Sequence, residues 1–352
     1  MTKKTLDKDL GKISRLEGVM RQQRRGLIPL FVGLLFLVLV SLLAASLVGT
    51  GTRGLIVIVA AVIGGYMGLN IGANDVANTM GPVVASRTLT MAAALAIAAV
   101  GNVAGAFIAG GNVVSTISKG IIDPALIADP GVFVNAMLAA LLASALWVNL
   151  ATVLSAPVST THAIVGGVMG AGIAAAGFAV VNWGTMAQIA ASWVVSPLMG
   201  GVIAAIIYQA VRQSIFERDD KIAAAVRYVP MFVGIMAGAF AMFLTMKGLG
   251  KIWQPPFYVV ALIGAALLMI TPRLVRPHVV RLASGLGQRS KDVRRLFDIP
   301  LICGAGLLAF AHGANDVANA IGPLAAIVSF EGGAEISAKV PVPFWVTAIG
   351  GF

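Results

Sequence analysis

Two short segments of the chain are nearly identical, and each carries a carboxylate between apolar residues. Residues 72–85 read GANDVANTMGPVVA and residues 313–326 read GANDVANAIGPLAA, with ten of fourteen positions identical at a constant offset of 241. In each copy two asparagines lie four residues apart, so they share one face of a helix. Their amide oxygens, like the aspartate oxygens, are ligands that hard cations prefer. These candidate residues are Asn74, Asp75, Asn78, Asn315, Asp316 and Asn319.

A third polar segment, SAPVSTTH at residues 155–162, has the chemistry of an anion site. Pro157 interrupts a helix, because proline lacks an N–H and clashes with the preceding turn. Ser159, Thr160 and Thr161 then begin a new glycine-rich segment, where free N–H groups and hydroxyls at a helix N-terminus bind anions. The alternative is structural, with the hydroxyls bonded to a helix carbonyl at a proline kink.

Composition places these motifs in a membrane. The 352 residues are 59% hydrophobic and only 11% charged, against roughly 25% in a soluble domain. Residues 130–211 contain no Asp, Glu, Lys or Arg. These features exclude a soluble enzyme, a secreted domain and a DNA-binding protein. A charge at mid-bilayer costs about 2.5–3.5 kcal/mol, so Asp75 and Asp316 are expected to face a hydrated cavity and to have partners.

The apolar runs predict an all-α polytopic membrane protein, since lipid-exposed backbone must satisfy its own hydrogen bonds. Two of the spans are predicted to be broken at the repeated motif, because Gly-Ala-Asn-Asp is a poor helix interior. Glycine pairs at 166 and 170 and at 234 and 238 predict close helix packing. The predicted spans are 28–48, 54–84, 88–110, 132–154, 159–181, 187–211, 229–247, 257–272, 299–327 and one beginning near 343.

Seven predicted crossings separate the two motif copies, so the copies are expected to run through the membrane in opposite directions. This is the mark of an inverted-topology repeat with broken or re-entrant helices at the midplane. The direction is unchanged if 132–181 is a re-entrant hairpin. The basic segments flank apolar spans, which by the positive-inside rule favours a cytoplasmic N-terminus in a bacterial inner or plasma membrane and argues against nucleic-acid binding.

The charge balance predicts coupling to a cation. No Lys or Arg lies within a predicted helical core. An anion bound beside Asp75 and Asp316 therefore needs bound Na⁺, or protons on the carboxylates. No other metal and no further cofactor is expected. His312 is expected to form a hydrogen bond at a helix end, whereas His162 is expected either to tune the Ser-Thr turn, to carry protons or to pack.

The paired GANDVAN segments and the APVSTTH turn resemble the inorganic phosphate transporter family over about residues 54 to 352. The resemblance implies an inverted-repeat fold that binds inorganic phosphate with Na⁺ or H⁺ in a lipid bilayer. It implies that phosphate is bound by Ser159, Thr160, Thr161, Asp75, Asn78, Asp316 and Asn319. It also implies that the cation is held by Asn74, Asp75, Asn78, Asn315, Asp316 and Asn319.

The family usually has a second such turn, which at the offset of 241 would fall near position 398. The expected organisation therefore ends in an incomplete repeat. It comprises a basic cytoplasmic tail (1–27), an extra transmembrane helix (28–53), the first inverted repeat (54–211), linking helices with basic loops (212–298) and the start of the second repeat (299–352).

The leading hypothesis is a cation-coupled phosphate symporter, and three alternatives stay open. A sulfate symporter of the same fold would use the same donors. A passive anion channel is disfavoured because two buried carboxylates repel the permeant ion. An intramembrane hydrolase would use Ser159 and His162, but a third group and an oxyanion hole are not evident. The chain is thus expected not to be an enzyme, and the sequence leaves open a homo-oligomer.

Overall fold

The computed structural model describes residues 27–110, 120–127, 129–248, 253, 255–331 and 342–351. Within these residues the chain is helical, with one isolated β-bridge between Ile122 and Val181. The predicted all-α membrane fold is therefore confirmed. The basic tail lies outside the described residues except for its last residue.

Eight helical segments are long and apolar enough to cross a membrane, among the residues described. The described residues contain eleven α-helices, and their bounds are α1 Leu27–Val48, α2 Thr52–Ala85, α3 Met91–Ala109, α4 Pro130–Val153, α5 Thr160–Ala176, α6 Trp183–Val211, α7 Lys221–Phe243, α8 Phe257–Ala283, α9 Ser290–Arg294, α10 Asp298–Glu331 and α11 Phe344–Gly351. The segment α5 has 17 residues, or about 25 Å, and is shorter than the hydrocarbon core of a bilayer.

The linking helices are longer than the apolar runs predicted. Helix α7 begins eight residues before the predicted span, and α8 continues to Ala283 instead of ending at residue 272. Asp220 caps α7 by accepting a hydrogen bond from the Ala223 backbone N–H, which together with the Gln288 amide lowers the pKa of the Asp220 carboxyl. Hydropathy misses such charged helix ends because they extend beyond the apolar core.

The two helices that carry the repeated motif, α2 and α10, pack side by side in opposite directions. Arg53 at the start of α2 lies 3.9 Å from Glu331 at the end of α10. Thr88, just after α2, donates a 3.0 Å hydrogen bond to Asp298 at the start of α10. The main buried cluster also joins these two helices to α4 and α5. Their antiparallel arrangement agrees with an odd number of crossings, whereas the complete inverted repeat stays a prediction.

The predicted helix breaks at the two motifs are wrong, because each motif lies inside a continuous helix of 34 residues. In lipid an unwound turn would leave backbone groups without partners. The second motif's glycine serves packing instead: a Cβ at Gly313 would collide with the backbone oxygen of Asn102 in α3. Asn315 lies within this continuous helix, and its side-chain amide donates to the Ala311 carbonyl one turn earlier.

Close packing through glycine is confirmed for one of the two predicted pairs. Cβ atoms at Gly234 and Gly238 would lie 2.8 and 2.7 Å from backbone oxygens of α8. Among the described residues, no atom lies within 4 Å of a Cβ added at Gly166 or Gly170, so the prediction for that pair is wrong. The neighbouring Gly167 instead faces α4, with the Ala140 carbonyl oxygen 2.8 Å from its added Cβ.

Helices α4 and α5 form a hairpin whose tip lies beside Asn74 and Asp75 of α2. The far ends of the hairpin are joined where the Asn182 N–H donates to the Ile121 carbonyl over 2.9 Å. Helix α4 runs parallel to α2, and its last turn meets Asn74 through the Thr152 hydroxyl. Because α2 continues ten residues past Asp75, the hairpin tip stops about 15 Å short of the end of α2. The re-entrant hairpin stays a prediction, because α4 with its 24 residues is long enough to cross a membrane.

Candidate functional site

The hairpin tip brings two hydroxyls onto the two motif carboxylates. The Thr160 Oγ1 hydroxyl donates to Asp75 Oδ2 at 3.3 Å, and the Thr161 hydroxyl donates to Asp316 Oδ1 at 3.3 Å. Both threonines lie in the first turn of α5, where the unpaired N–H groups carry a partial positive charge. One helix N-terminus therefore faces one carboxylate from each copy of the motif.

Asn319 ties the two threonines together from α10. Its side chain is fully buried, and Nδ2 donates to Thr160 Oγ1 at 3.3 Å and to Thr161 Oγ1 at 3.0 Å. Each threonine hydroxyl therefore accepts from an amide and donates to a carboxylate. A hydroxyl has a single proton, so in this network that donor is already in use.

Ser159 lies at the edge of this network. Its Oγ accepts a 3.2 Å hydrogen bond from the His162 backbone N–H, which makes Ser159 the N-cap of α5. The His162 ring packs on Trp193 of α6, with ring centroids 3.9 Å apart. Serine and histidine are thus held by a cap and an aromatic contact, which is not the geometry of a nucleophile–base pair.

His312 lies inside α10, not at a helix end as predicted, and it lies between the two carboxylates. Its Nε2 is 3.1 Å from Asp316 Oδ2 and 3.4 Å from Asp75 Oδ2. Its Nδ1 is 2.7 Å from Asn102 Oδ1, while the Asn102 amide group donates to Ala98 in its own helix. Nδ1 therefore donates to Asn102, and a proton must lie between Nε2 and the carboxylates.

This position adds a residue that the charge argument made from the sequence left out. The absence of Lys and Arg from predicted helix cores led to the expectation that only added cations could offset Asp75 and Asp316. A protonated His312 is a cationic side chain in contact with both. The spacing of His312 four residues before Asp316 was a usable signal, since such residues are neighbours on a helix. The contribution of Asn102 had no signal in the sequence.

The remaining motif asparagines are placed unequally. Asn74 donates to Thr152 Oγ1 at 3.1 Å and lies against the hairpin. Asn78 and Asn315 are exposed. Asn315 bonds only within its own helix, and among the described residues Asn78 makes no side-chain hydrogen bond. The structure therefore gathers Asp75, Asp316, Asn319, Thr160 and Thr161 into one network, with Asn74 at its edge.

Two buried oxygens in this region have no donor. Within the described part of the chain, Asn74 Oδ1 and Asn319 Oδ1 are inaccessible and lack a hydrogen-bond partner. A buried polar atom in this state is costly unless something binds it. Asp75, His312 and Asp316 also offer ligand atoms within 4.8 Å of one another. Each motif helix therefore carries one buried asparagine oxygen that could bind a cation.

A cavity of about 470 Å³ opens beside the hairpin tip, between α5 and α6. Hydroxyl, imidazole and indole groups line part of its wall, contributed by Ser159, Thr161, His162, Ser192, Trp193 and Ser196. Thr161 faces this cavity and also bonds Asp316. The cavity is therefore in direct contact with the polar network.

The fold and this network define a polytopic helical membrane protein with a buried polar site at the tip of a helical hairpin, which is an architecture of membrane transporters. Residues 71–352 match the model of the phosphate transporter family. The chain belongs to this family, so the resemblance inferred from the motifs is confirmed.

Individual relatives agree with the family match. A candidate phosphate permease from Helicobacter pylori strain J99 is 43% identical over 348 residues, covering 97% of this chain. The chain spans 65% of the length of that relative. A candidate phosphate permease from Pyrococcus abyssi is 39% identical over 295 residues, covering 82% of this chain and 71% of the relative.

A solved structure described as a sodium-dependent phosphate transporter is also similar to the chain. Its TM-score is 0.77 at 35% identity, and the match covers 84% of this chain and 73% of the other. At this identity and score the two chains share one fold over the matched part.

Proposed function

We propose that the protein is a secondary symporter that moves inorganic phosphate across the membrane together with Na⁺ or H⁺. One observation carries this proposal: two adjacent hydroxyls at one helix N-terminus each bond a carboxylate from a different motif copy. Membership of the phosphate transporter family supports phosphate as the anion. The sodium-dependent structural relative supports Na⁺ as the coupling ion.

The hydroxyl network supplies a mechanism for coupling. Thr160 and Thr161 each have one proton to donate, and both protons are directed at carboxylates. A cation bound to Asp75 or Asp316 takes over as the carboxylate's partner. The hydroxyl is then released to donate to a phosphate oxygen, and the repulsion between the carboxylate and the anion falls. Phosphate therefore binds tightly only after the cation.

Two buried asparagine oxygens are the proposed further cation ligands in this mechanism. Asn74 Oδ1 lies next to Asp75 in sequence, and Asn319 Oδ1 lies one helical turn after Asp316. Both are buried and without donors in the described residues. We assign Asn74 with Asp75, and Asn319 with Asp316, as cation ligands. Asn78 and Asn315 are assigned a secondary role, because both are exposed.

The phosphate ligands are assigned to the N-terminus of α5. Thr160 and Thr161 donate through hydroxyls, while Ser159 lines the adjoining cavity and caps the helix. This cavity is the proposed route by which the anion reaches the threonines. The proposed topology places the N-terminus and the basic ends of α7 and α8 in the cytoplasm, with two inverted repeats around the site. The proposal includes no catalytic reaction.

Uptake of radiolabelled phosphate into proteoliposomes tests this function. Na⁺ and H⁺ gradients are imposed separately, and sulfate is added as a competitor. Accumulation above the equilibrium level is expected with at least one gradient and little inhibition by sulfate. Uptake that never exceeds equilibrium would indicate a passive pathway. Strong competition by sulfate, with sulfate itself accumulated, would replace phosphate by sulfate as the substrate.

A further inference from the structure

A second cavity of about 470 Å³ lies away from the hairpin tip, in a groove between α7 and α8. The two helices are held close by Gly234 and Gly238, as described above, and the groove runs along their exposed side. Met231 and Ile235 of α7 and Met269 of α8 line it, and each is about half exposed. The groove therefore presents an apolar surface to the lipid.

Three arginines line one end of this groove. Arg227 lies four residues before Met231 and eight before Ile235, so the three side chains form one stripe on α7. Arg273 lies four residues after Met269 on the antiparallel α8, and Arg276 follows one turn later. The groove is thus cationic at the basic end of the helix pair and apolar further in.

The arginines are not neutralised by the protein. Within the described residues, none of the three guanidinium groups pairs with a carboxylate inside 4.0 Å. Arg273 Nη1 donates to the Met269 carbonyl at 2.7 Å, and Arg227 lies 5.5 Å from the centre of the Tyr228 ring. Most of the N–H donors on the three groups therefore remain available to an anion.

We propose that this arginine groove binds an anionic phospholipid. Arg227, Arg273 and Arg276 hold its phosphate, because planar guanidinium groups match phosphate oxygens in paired hydrogen bonds. One acyl chain lies along Met231 and Ile235. Basic pockets between transmembrane helices bind anionic headgroups in this way. A free inorganic anion would use the arginines but not the apolar length of the groove, so the combination favours a lipid.

This site is separate from the proposed transport site and does not depend on it. Its test is a binding measurement on the purified protein in neutral detergent, by native mass spectrometry with phosphatidylglycerol and phosphatidylcholine of equal chain length. The wild-type protein is expected to bind phosphatidylglycerol at least about ten-fold more tightly than phosphatidylcholine. Replacing any one of the three arginines should lower the affinity for phosphatidylglycerol roughly five-fold. The triple variant R227Q/R273Q/R276Q should lower it about 100-fold.

The matched control is R281Q/R289Q/R294Q, which removes three exposed basic charges near the same end of the helix pair. It is expected to change the affinity less than two-fold. A second variant, Ile235→Trp, fills the apolar part of the groove without altering charge and should also weaken phosphatidylglycerol binding. Arg276→Gln alone should still show its five-fold loss if the triple variant fails to fold.

Three results would overturn the proposal. Equal losses in the two triple variants would mean that net charge alone attracts the lipid. Displacement of the lipid by millimolar inorganic phosphate, or no effect of Ile235→Trp, would indicate a site for a free anion. A change of oligomeric state in the groove variants without added lipid would show that a second copy of the chain covers this surface.

Discussion

The two copies of the repeated motif have almost the same sequence but different surroundings. In the first copy Asn74 bonds the α4–α5 hairpin, whereas its counterpart Asn315 is exposed and bonds only its own helix. At the other end of the motif, it is the second copy that contacts the hairpin. Asn319 is fully buried on the hairpin threonines, whereas its counterpart Asn78 is exposed. The aspartate is the one polar residue that contacts the hairpin in both copies.

This difference shows that the α4–α5 hairpin contacts opposite ends of the motif in the two copies. It covers the first asparagine of one helix and the last asparagine of the other, because α2 and α10 are antiparallel. Exchanging the two helices would place an equivalent hairpin over Asn315 and Asn78, as the predicted inverted repeat implies. The role of each asparagine therefore depends on what packs against it, while the shared aspartates define the centre of the site.

The largest effect should come from replacing the aspartates, which contact the hairpin in both copies of the motif. Asp75→Asn and Asp316→Asn are each expected to abolish concentrative phosphate uptake, because an amide cannot balance the charge of a coupling cation. Expression and membrane insertion should be unchanged. Asp219→Asn, at an exposed position before α7, is the control and should transport normally. Normal uptake in either site variant would refute cation coupling through that copy.

Thr160→Val tests the contribution of the hairpin tip, because it keeps the shape of the side chain and removes the hydroxyl. Loss of a hydrogen bond to a charged group costs about 1.5–3 kcal/mol, so the half-saturation constant for phosphate should rise roughly ten- to hundred-fold. Thr185→Val serves as the control, because that hydroxyl lies outside the network. An unchanged half-saturation constant for Thr160→Val would make this turn purely structural.

Replacing the buried Asn319 should lower the stability of the protein more than replacing the exposed Asn78. Asn319→Ala removes two side-chain hydrogen bonds between helices, which average about 0.6 kcal/mol each in membranes, so the protein should lose about 1 kcal/mol. Asn78→Ala should change stability by less than about 0.5 kcal/mol, as is usual at exposed positions. Thermal unfolding in detergent measures both. Equal losses would mean that the surroundings of the two positions do not differ.

The smallest effect should distinguish Asn74 from Asn315, the first asparagine in each copy of the motif. Asn74→Ala frees Thr152 and the Ala156 carbonyl, so amide hydrogen exchange should quicken in residues 154–159 at the hairpin tip. Asn315→Ala should leave exchange at the tip unchanged, since within the described part of the chain its side chain bonds only the Ala311 carbonyl. Faster exchange in both variants would show that the tip responds to any change in the motif.

Much of the fold could be predicted from sequence, because lipid imposes strong constraints. The all-α membrane class, the opposite directions of the motif helices and the helix start at the Ser-Thr turn all follow from hydropathy and local chemistry. The continuity of α2 and α10 could not be predicted, because glycine serves both as a helix breaker and as a packing residue. Gly313 has the second role, and only the approach of Asn102 reveals it.

The composition of the site was harder to predict, because it depends on contacts between distant parts of the chain. Thr160 and Asp75 are 85 residues apart, and the position of His312 between two aspartates depends on how α2 and α10 pack. Hydropathy also placed Arg227, Arg273 and Arg276 in loops, whereas the structure includes them in α7 and α8. Long basic side chains can extend from a helix to the membrane surface, so charge did not mark the end of either helix.

Equilibrium binding of phosphate to the purified protein tests the central claim most directly. Phosphate affinity is measured with Na⁺ and with choline in its place, across a range of pH. If cations release Thr160 and Thr161 from the carboxylates, Na⁺ or acid should strengthen phosphate binding. By linkage, phosphate should then strengthen binding of that cation by the same factor. Phosphate affinity that is identical in choline and Na⁺ at every pH would contradict the account.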